Sequence, residues 1–290
     1  MHRAVLALLL STAGTLAAAR VFRWVDGPLY EPVRGGTPRG VGIVPALVYA
    51  LLSPVGTVPS LILALLGFVD DALGRRPTRL GVEVGHLSRG LAMLLTLAWC
   101  WGRYGPIAGL VAGFLPQPAN IVDTQPRAFT FALAVATLLC VPMGTADPDA
   151  LAVLWAALAP YVALDLRGRA MLGDGGNASL AVAGLLAATR GDPLGALAFL
   201  TAFTLAGAWY RYRVEPRLRE YLERELGIRD PSFMDAVWDV LTGGALGDLV
   251  KSWTFGRVRA PECGPWARRL GYRRLVLIGR STVGKRLRAG

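Results

Sequence analysis

Four carboxylates stand at the ends of apolar runs. Asp70 and Asp71 close Gly67-Phe68-Val69-Asp70-Asp71, Asp123 closes Asn120-Ile121-Val122-Asp123, and Asp174 sits in Met171-Leu172-Gly173-Asp174-Gly175-Gly176-Asn177. Paired carboxylates beside lipid repel each other and lose hydration, so they call for a cation. Mg2+ takes oxygen ligands and often bridges one or two carboxylates to substrate phosphates. The only histidines are His2 and His86, and Cys100, Cys140 and Cys263 have neither zinc nor disulfide spacing. Gly173, Gly175 and Gly176 permit close backbone approach, which lets amide donors face a phosphate. Each feature alone also has a plain reading. Asp70-Asp71 would cap a helix, Asp123 would be a loop acid, and Asp174 would be a turn residue bonded to its own backbone. Asp165, near Arg167 and Arg169, reads as an ion pair or a helix terminus, and His86 as part of a helix start. The functional reading rests on the three acidic turns meeting on one face.

The elements that must bring them there are membrane helices. The chain has 290 residues, 53% of them hydrophobic, with a positive mean hydropathy, which is more apolar than soluble domains of this length. Val5 to Ala19 and Ala128 to Met143 carry no charge at all. Runs near the length needed to cross ~30 Å of hydrocarbon read as transmembrane helices. Nine are expected, at roughly 4–20, 40–53, 56–70, 87–102, 105–119, 128–144, 149–165, 178–190 and 193–210. The expected fold is therefore all-α and polytopic, with a transmembrane domain over 1–210 and an amphipathic, basic tail over 211–290. The first run has a short basic start like a signal peptide, but further spans follow and it reads as a retained helix.

The net charge of +11 is distributed unevenly. With the N-terminus outside, 28 of the 31 Lys and Arg fall on inner segments and only Arg3, Arg103 and Arg190 outside. Leaving out the tail, the count is still 11 against 3. All three acidic turns then lie on the cytoplasmic side. The tail reads as amphipathic from Arg211 to Leu226 and helical at Phe233–Leu241, with the stretch from Arg257 basic enough to rest on anionic headgroups. Leu275-Val276-Leu277-Ile278 fits either a short strand or an anchoring turn. Basic residues between spans point to membrane lipids as partners rather than nucleic acid. Charges at span ends rather than mid-span argue against a transporter.

The order of motifs resembles the polyprenyl-phosphate N-acetylhexosamine-1-phosphate transferases, glycosyltransferase family 4, which includes the phospho-N-acetylmuramoyl-pentapeptide transferase of peptidoglycan synthesis. The resemblance covers roughly residues 30–190. It rests on Pro38-Arg39-Gly40-Val41-Gly42, Gly67–Asp71, Asn120–Asp123 and Met171–Gly176. It implies Mg2+-dependent transfer of a sugar-1-phosphate from a UDP-N-acetylsugar to polyprenyl phosphate at the cytoplasmic face, with release of UMP, and it implies a homodimer. Carried over by motif, Asp174 and Asp123 would be metal ligands, and Asp70, Asp71 and Asp123 would take part in catalysis. Asn120, Gly173, Gly175, Gly176, Asn177 and Arg75 would contact substrate. The chain departs from the family pattern at three of its motifs, and a basic tail stands where the family has a final span. Gly74, followed by Arg75 and Arg76, stands where the family has a Lys. Thr124-Gln125-Pro126-Arg127 stands where Gly usually follows, and no His occurs after His86. These departures open an alternative, a catalytically inactive relative that holds polyprenyl phosphate or serves as an envelope scaffold.

Overall fold

A computed structural model describes residues 1–24, 29–31, 37–73, 83–214, 217–224, 226–243 and 261–277. The departures at Gly74, Arg75 and Arg76, and the tail residues 244–260 and 278–290, lie outside the described residues. Among the described residues the protein is all-α in class, its strands being the two-residue antiparallel pair β1 (Tyr30–Glu31) and β2 (Thr37–Pro38). The chain divides into two units, Met1–Ala202 and Phe203–Gly290, a boundary slightly earlier than the one expected at 210.

In the first unit the helices are α1 (His2–Trp24), α2 (Ile43–Leu52), α3 (Thr57–Leu73), α4 (Val84–Tyr104), α5 (Pro106–Phe114), α6 (Pro116–Val122), α7 (Ala128–Cys140), α8 (Pro148–Asp165), α9 (Gly173–Thr189) and the start of α10 (Pro193–Trp209). Each of the nine apolar runs is helical. Three helices are long and apolar enough to cross a membrane, at His2–Trp24, Pro148–Asp165 and Pro193–Arg213, with shorter apolar helices at Ile43–Leu52, Pro106–Val122 and Ala128–Met143. The run at 105–119 is two helices rather than one, because Pro116 cannot donate to the turn before it and restarts the helix after Leu115. Large apolar side chains such as Leu9, Leu94 and Leu138 remain exposed, as lipid-facing surfaces do.

The centre of this unit is α9. All seventeen of its residues are buried, and from Leu180 to Ala188 it is apolar around its whole circumference, the pattern of a helix enclosed by others. It packs on α3, α6, α2, α8 and α7. Small residues set these distances, since without large side chains helix backbones approach closely. A Cβ on Gly67 would lie 2.5 Å from Gly175 Cα, and one on Gly176 would lie 2.5 Å from Gly42 Cα. Ser179 Oγ adds a bond to the Ser60 carbonyl at 2.8 Å across the α3–α9 contact. Elsewhere, Ser11 Oγ of α1 donates to the Ala157 carbonyl of α8.

The stretch Gly173–Gly176, read as a turn ahead of a span beginning at 178, is the first turn of α9. Glycine is a poor helix former. Here the need to bring α9 against Gly42 and Gly67 outweighs that cost, because any side chain would clash with backbone.

The second unit, read as an amphipathic, basic tail, is helical in its described part. A π-helical turn (Tyr210–Val214) leads to α11 (Arg217–Arg224), α12 (Phe233–Thr242), α13 (Pro265–Arg269) and α14 (Tyr272–Val276). Leu275 and Val276 are thus helical rather than strand. Ser232 opens α12 with a capping box, its side chain accepting the Asp235 amide while Asp235 accepts the Ser232 amide. Asp235 and Asp239, one turn apart, are buried and meet arginines: Asp235 with Arg273 at 3.1 Å, Asp239 with Arg274 at 2.9 Å and with Arg211 at 3.1 Å.

Candidate functional site

Four segments distant in sequence build one polar cluster in the first unit. The segment after β2 is clamped to the entry of α9 by backbone bonds: Met171 N to Pro38 O at 2.9 Å, Val41 N to Met171 O at 3.2 Å and Gly42 N to Leu172 O at 3.0 Å. That clamp places Arg39 over the start of α9. From α3, Asp70 and Asp71 arrive at the helix end, from α4 comes Arg89, and from α6 comes Asn120.

Asp71 lies at the base. Its Oδ1 accepts the Asp174 amide at 2.9 Å and forms an ion pair with Arg39 Nε at 3.1 Å, and its Oδ2 accepts the Gly175 amide at 3.1 Å. Of the glycine amides expected to face a phosphate, that of Gly175 therefore faces a carboxylate of the chain itself, as does the Asp174 amide. Asp174 Oδ2 receives Arg39 Nη2 at 3.1 Å and also Arg89 Nη2. The same Arg89 nitrogen reaches Asp70 Oδ2, which Arg89 Nε also contacts at 3.1 Å. With its amide oriented to satisfy both neighbours, Asn120 donates to Asp174 Oδ1 and accepts from Arg89 Nη1 at 2.8 Å.

Asp123 is held one step away. Its Oδ2 accepts Asn177 Nδ2 at 3.3 Å, one helical turn beyond Asp174. Asn177 is buried, and its Oδ1 has no donor among the described residues. Asn177, Asp174, Asn120 and Arg89 line a cavity of about 10 Å³, room for a single water, together with Leu63 and Ala92.

The sequence-derived residues thus separate into groups. Asp70, Asp71, Asn120 and Asp174 converge; Asp123 joins through Asn177; Gly175 contributes an amide; Gly173 and Gly176 serve close packing; Arg75 lies outside the described residues. Asp165 belongs elsewhere, accepting the Arg127 amide with both oxygens at 3.0 Å and Thr130 Oγ1 at 3.1 Å, so it caps the start of α7. His86 faces Glu83 at 3.8 Å on an exposed helix start.

Sequence reasoning missed Arg39 and Arg89 as members of the site. The signal for Arg89 was its place inside an otherwise apolar run, where a guanidinium must find a partner. Arg39 stands in the Pro38–Gly42 motif, but its carboxylate partners Asp71 and Asp174 are distant in sequence, the second by 135 residues.

The donor chemistry suits a hard divalent cation, being carboxylate and amide oxygens together with the unsatisfied Asn177 Oδ1. Among the described residues, however, no three acidic, histidine or cysteine side chains are arranged around a metal position. One Arg89 nitrogen joins Oδ2 of Asp70 to Oδ2 of Asp174. Neither a protein-family model nor a curated protein matches the chain.

Proposed function

We propose that the first unit is a phosphoryl-transfer site at the cytoplasmic face of a cell membrane, moving a sugar-1-phosphate from a UDP-N-acetylsugar to polyprenyl phosphate. The observation that carries this reading is the convergence of Asp70, Asp71, Asn120 and Asp174 with two arginines at one end of an apolar helical bundle. The proposal includes nine spans, an outer N-terminus and a cytoplasmic C-terminal unit, which the excess of basic residues between the expected inner spans favours.

In the reaction an oxygen of the lipid phosphate attacks the β-phosphorus of the UDP-sugar. The bond from that phosphorus to the oxygen bridging the α-phosphate breaks, and UMP leaves with the electron pair. Asp71 is a positioning residue, since its oxygens are spent on α9 amides and Arg39. Arg39 and Arg89 supply forks that match phosphate oxygens. Asp174, Asp70 and the Asn177 amide oxygen would hold Mg2+, which when bound offsets charge on the diphosphate. Asp123 orients Asn177 through their hydrogen bond.

The test is UMP release from a panel of UDP-sugars with polyprenyl phosphate and Mg2+, using purified full-length protein. Turnover that falls at least 100-fold in Asp174→Asn is the expected result. No turnover from folded protein overturns it. A second reading, a non-catalytic holder of polyprenyl phosphate, is favoured by the small size of the cavity and the closed ion-pair network. It predicts that Asp174→Asn retains the cellular role.

A further inference from the structure

Arg89 occupies an unusual position for a structural ion pair. One nitrogen serves two carboxylates, Asp70 and Asp174, a second serves Asn120, and the third adds to Asp70. A single guanidinium thus sits where the oxygens of three segments meet. The charges nearly balance without any other ion, with three carboxylates against the two cations Arg39 and Arg89.

The order of burial adds direction. The Asp71, Asp174 and Asp70 side chains are 0%, 5% and 10% exposed, whereas Arg39 and Arg89 are each 25% exposed. An anion entering from solvent meets the guanidiniums before the carboxylates. A cation seeking Asp70 and Asp174 finds Oδ2 of each already bonded to Arg89. The same side chain therefore stands between both ligands and the site.

We propose that Arg89 is an exchangeable internal cation. It neutralises Asp70 and Asp174 in the resting site, then turns its fork to a diphosphate as a divalent cation takes its place on those carboxylates. The inference rests on the phosphoryl-transfer reading and names a binding residue for it. The exchange is physically matched. The guanidinium gives up charge-assisted bonds to carboxylate and gains them to phosphate, and its planar fork suits either partner. The carboxylates never lie buried together without a cation, a state that mutual repulsion and lost hydration disfavour. Arg39 keeps its bond to Asp71 throughout and holds the entry of α9 in place.

The sign of the effect separates this from a structural role. An internal cation that competes with metal makes its own removal favourable for metal and unfavourable for the anion. The experiment uses full-length protein in detergent and two probes, Mn2+ as a spectroscopic stand-in for Mg2+, and inorganic pyrophosphate. Mn2+ binding is read by electron paramagnetic resonance, and pyrophosphate binding by calorimetry at fixed saturating Mg2+. Arg89→Ala is expected to bind Mn2+ at least tenfold more tightly than the parent and pyrophosphate at least tenfold more weakly. Arg89→Lys, which keeps the charge but not the fork, is expected to shift both in the same senses by about threefold. It carries the test if Arg89→Ala does not fold. A parent that binds both probes, with variants that weaken both or change neither, overturns the exchange and leaves the functional reading standing. A parent that binds neither probe overturns both.

Discussion

The Asp71 carboxylate closes the N-terminus of α9 from 103 residues away, with Oδ1 on the Asp174 amide at 2.9 Å and Oδ2 on the Gly175 amide at 3.1 Å. The first amides of a helix have no partner inside it and carry a partial positive charge. A buried anion there satisfies two of them and draws Arg39 to its remaining face. Asp71→Asn leaves one acceptor and turns an N–H donor toward other donors. The expected loss is about 1–3 kcal/mol, seen as a fall of roughly 3–10 °C in the thermal midpoint of detergent-purified protein. A midpoint equal to that of the parent counts against the capping role.

The glycines of the site differ in what surrounds them, and substitution separates packing from flexibility. A Cβ at position 176 meets Gly42 Cα at 2.5 Å and Gly42 C at 2.8 Å, both backbone atoms that cannot rotate away. Gly176→Ala is expected to destabilise by about 1–3 kcal/mol, as overpacking does. Gly90, within α4, has nothing within 4 Å of its Cβ position. Gly90→Ala is expected to raise stability by about 0.5–1 kcal/mol through helix propensity. The pair is read in one set of thermal melts, and equal effects from the two would sink the packing account.

Much of this arrangement is legible in the chain, for a physical reason. Apolar runs favour helices because a helix satisfies its own backbone groups, so each of the nine apolar runs read from residue 4 onward is helical, and three helices are long and apolar enough to cross a membrane. The meeting of Asp70, Asp71, Asn120 and Asp174 was legible from their shared place at span ends. Local pattern fails where tertiary contact decides. Gly173–Gly176 has the composition of a turn, yet becomes helix because Gly42 and Gly67 demand an approach that no other residue allows. Arg89 lies 85 residues from Asp174, and no spacing rule links them. Asp239 likewise finds Arg274 across 35 residues, so the basic tail conceals a folded ionic core.

The cap of α12 is a self-contained test of that second unit. Ser232 Oγ accepts the Asp235 amide at 3.2 Å and also donates to Asp235 Oδ2 at 2.9 Å. Ser232→Ala removes both bonds and is expected to cost about 1 kcal/mol. Faster amide hydrogen exchange across Phe233–Thr242, with α9 unchanged, is the expected signature. Unaltered exchange in that helix would show that the cap contributes little.

Asp239 gives the second unit a defined response to acid. Burial pushes its carboxyl upward, but the guanidiniums of Arg274 and Arg211 outweigh that and hold it below the ordinary carboxylate range. A depressed folded value means that the unfolded chain takes up the proton first as pH falls. The stability that Asp239 contributes is therefore fully present above the unfolded value, about 3.9, and is lost as pH falls through the lower folded value. Asp239→Asn leaves two buried guanidiniums short of their counter-ion and is expected to cost about 3–5 kcal/mol at neutral pH. Protection of Phe233–Thr242 from hydrogen exchange should hold steady in the parent from pH 7 to about pH 4 and fall below it. The variant should start lower and converge with the parent in acid. A constant gap between the two down to pH 2 would separate the stability of α12 from the charge on Asp239.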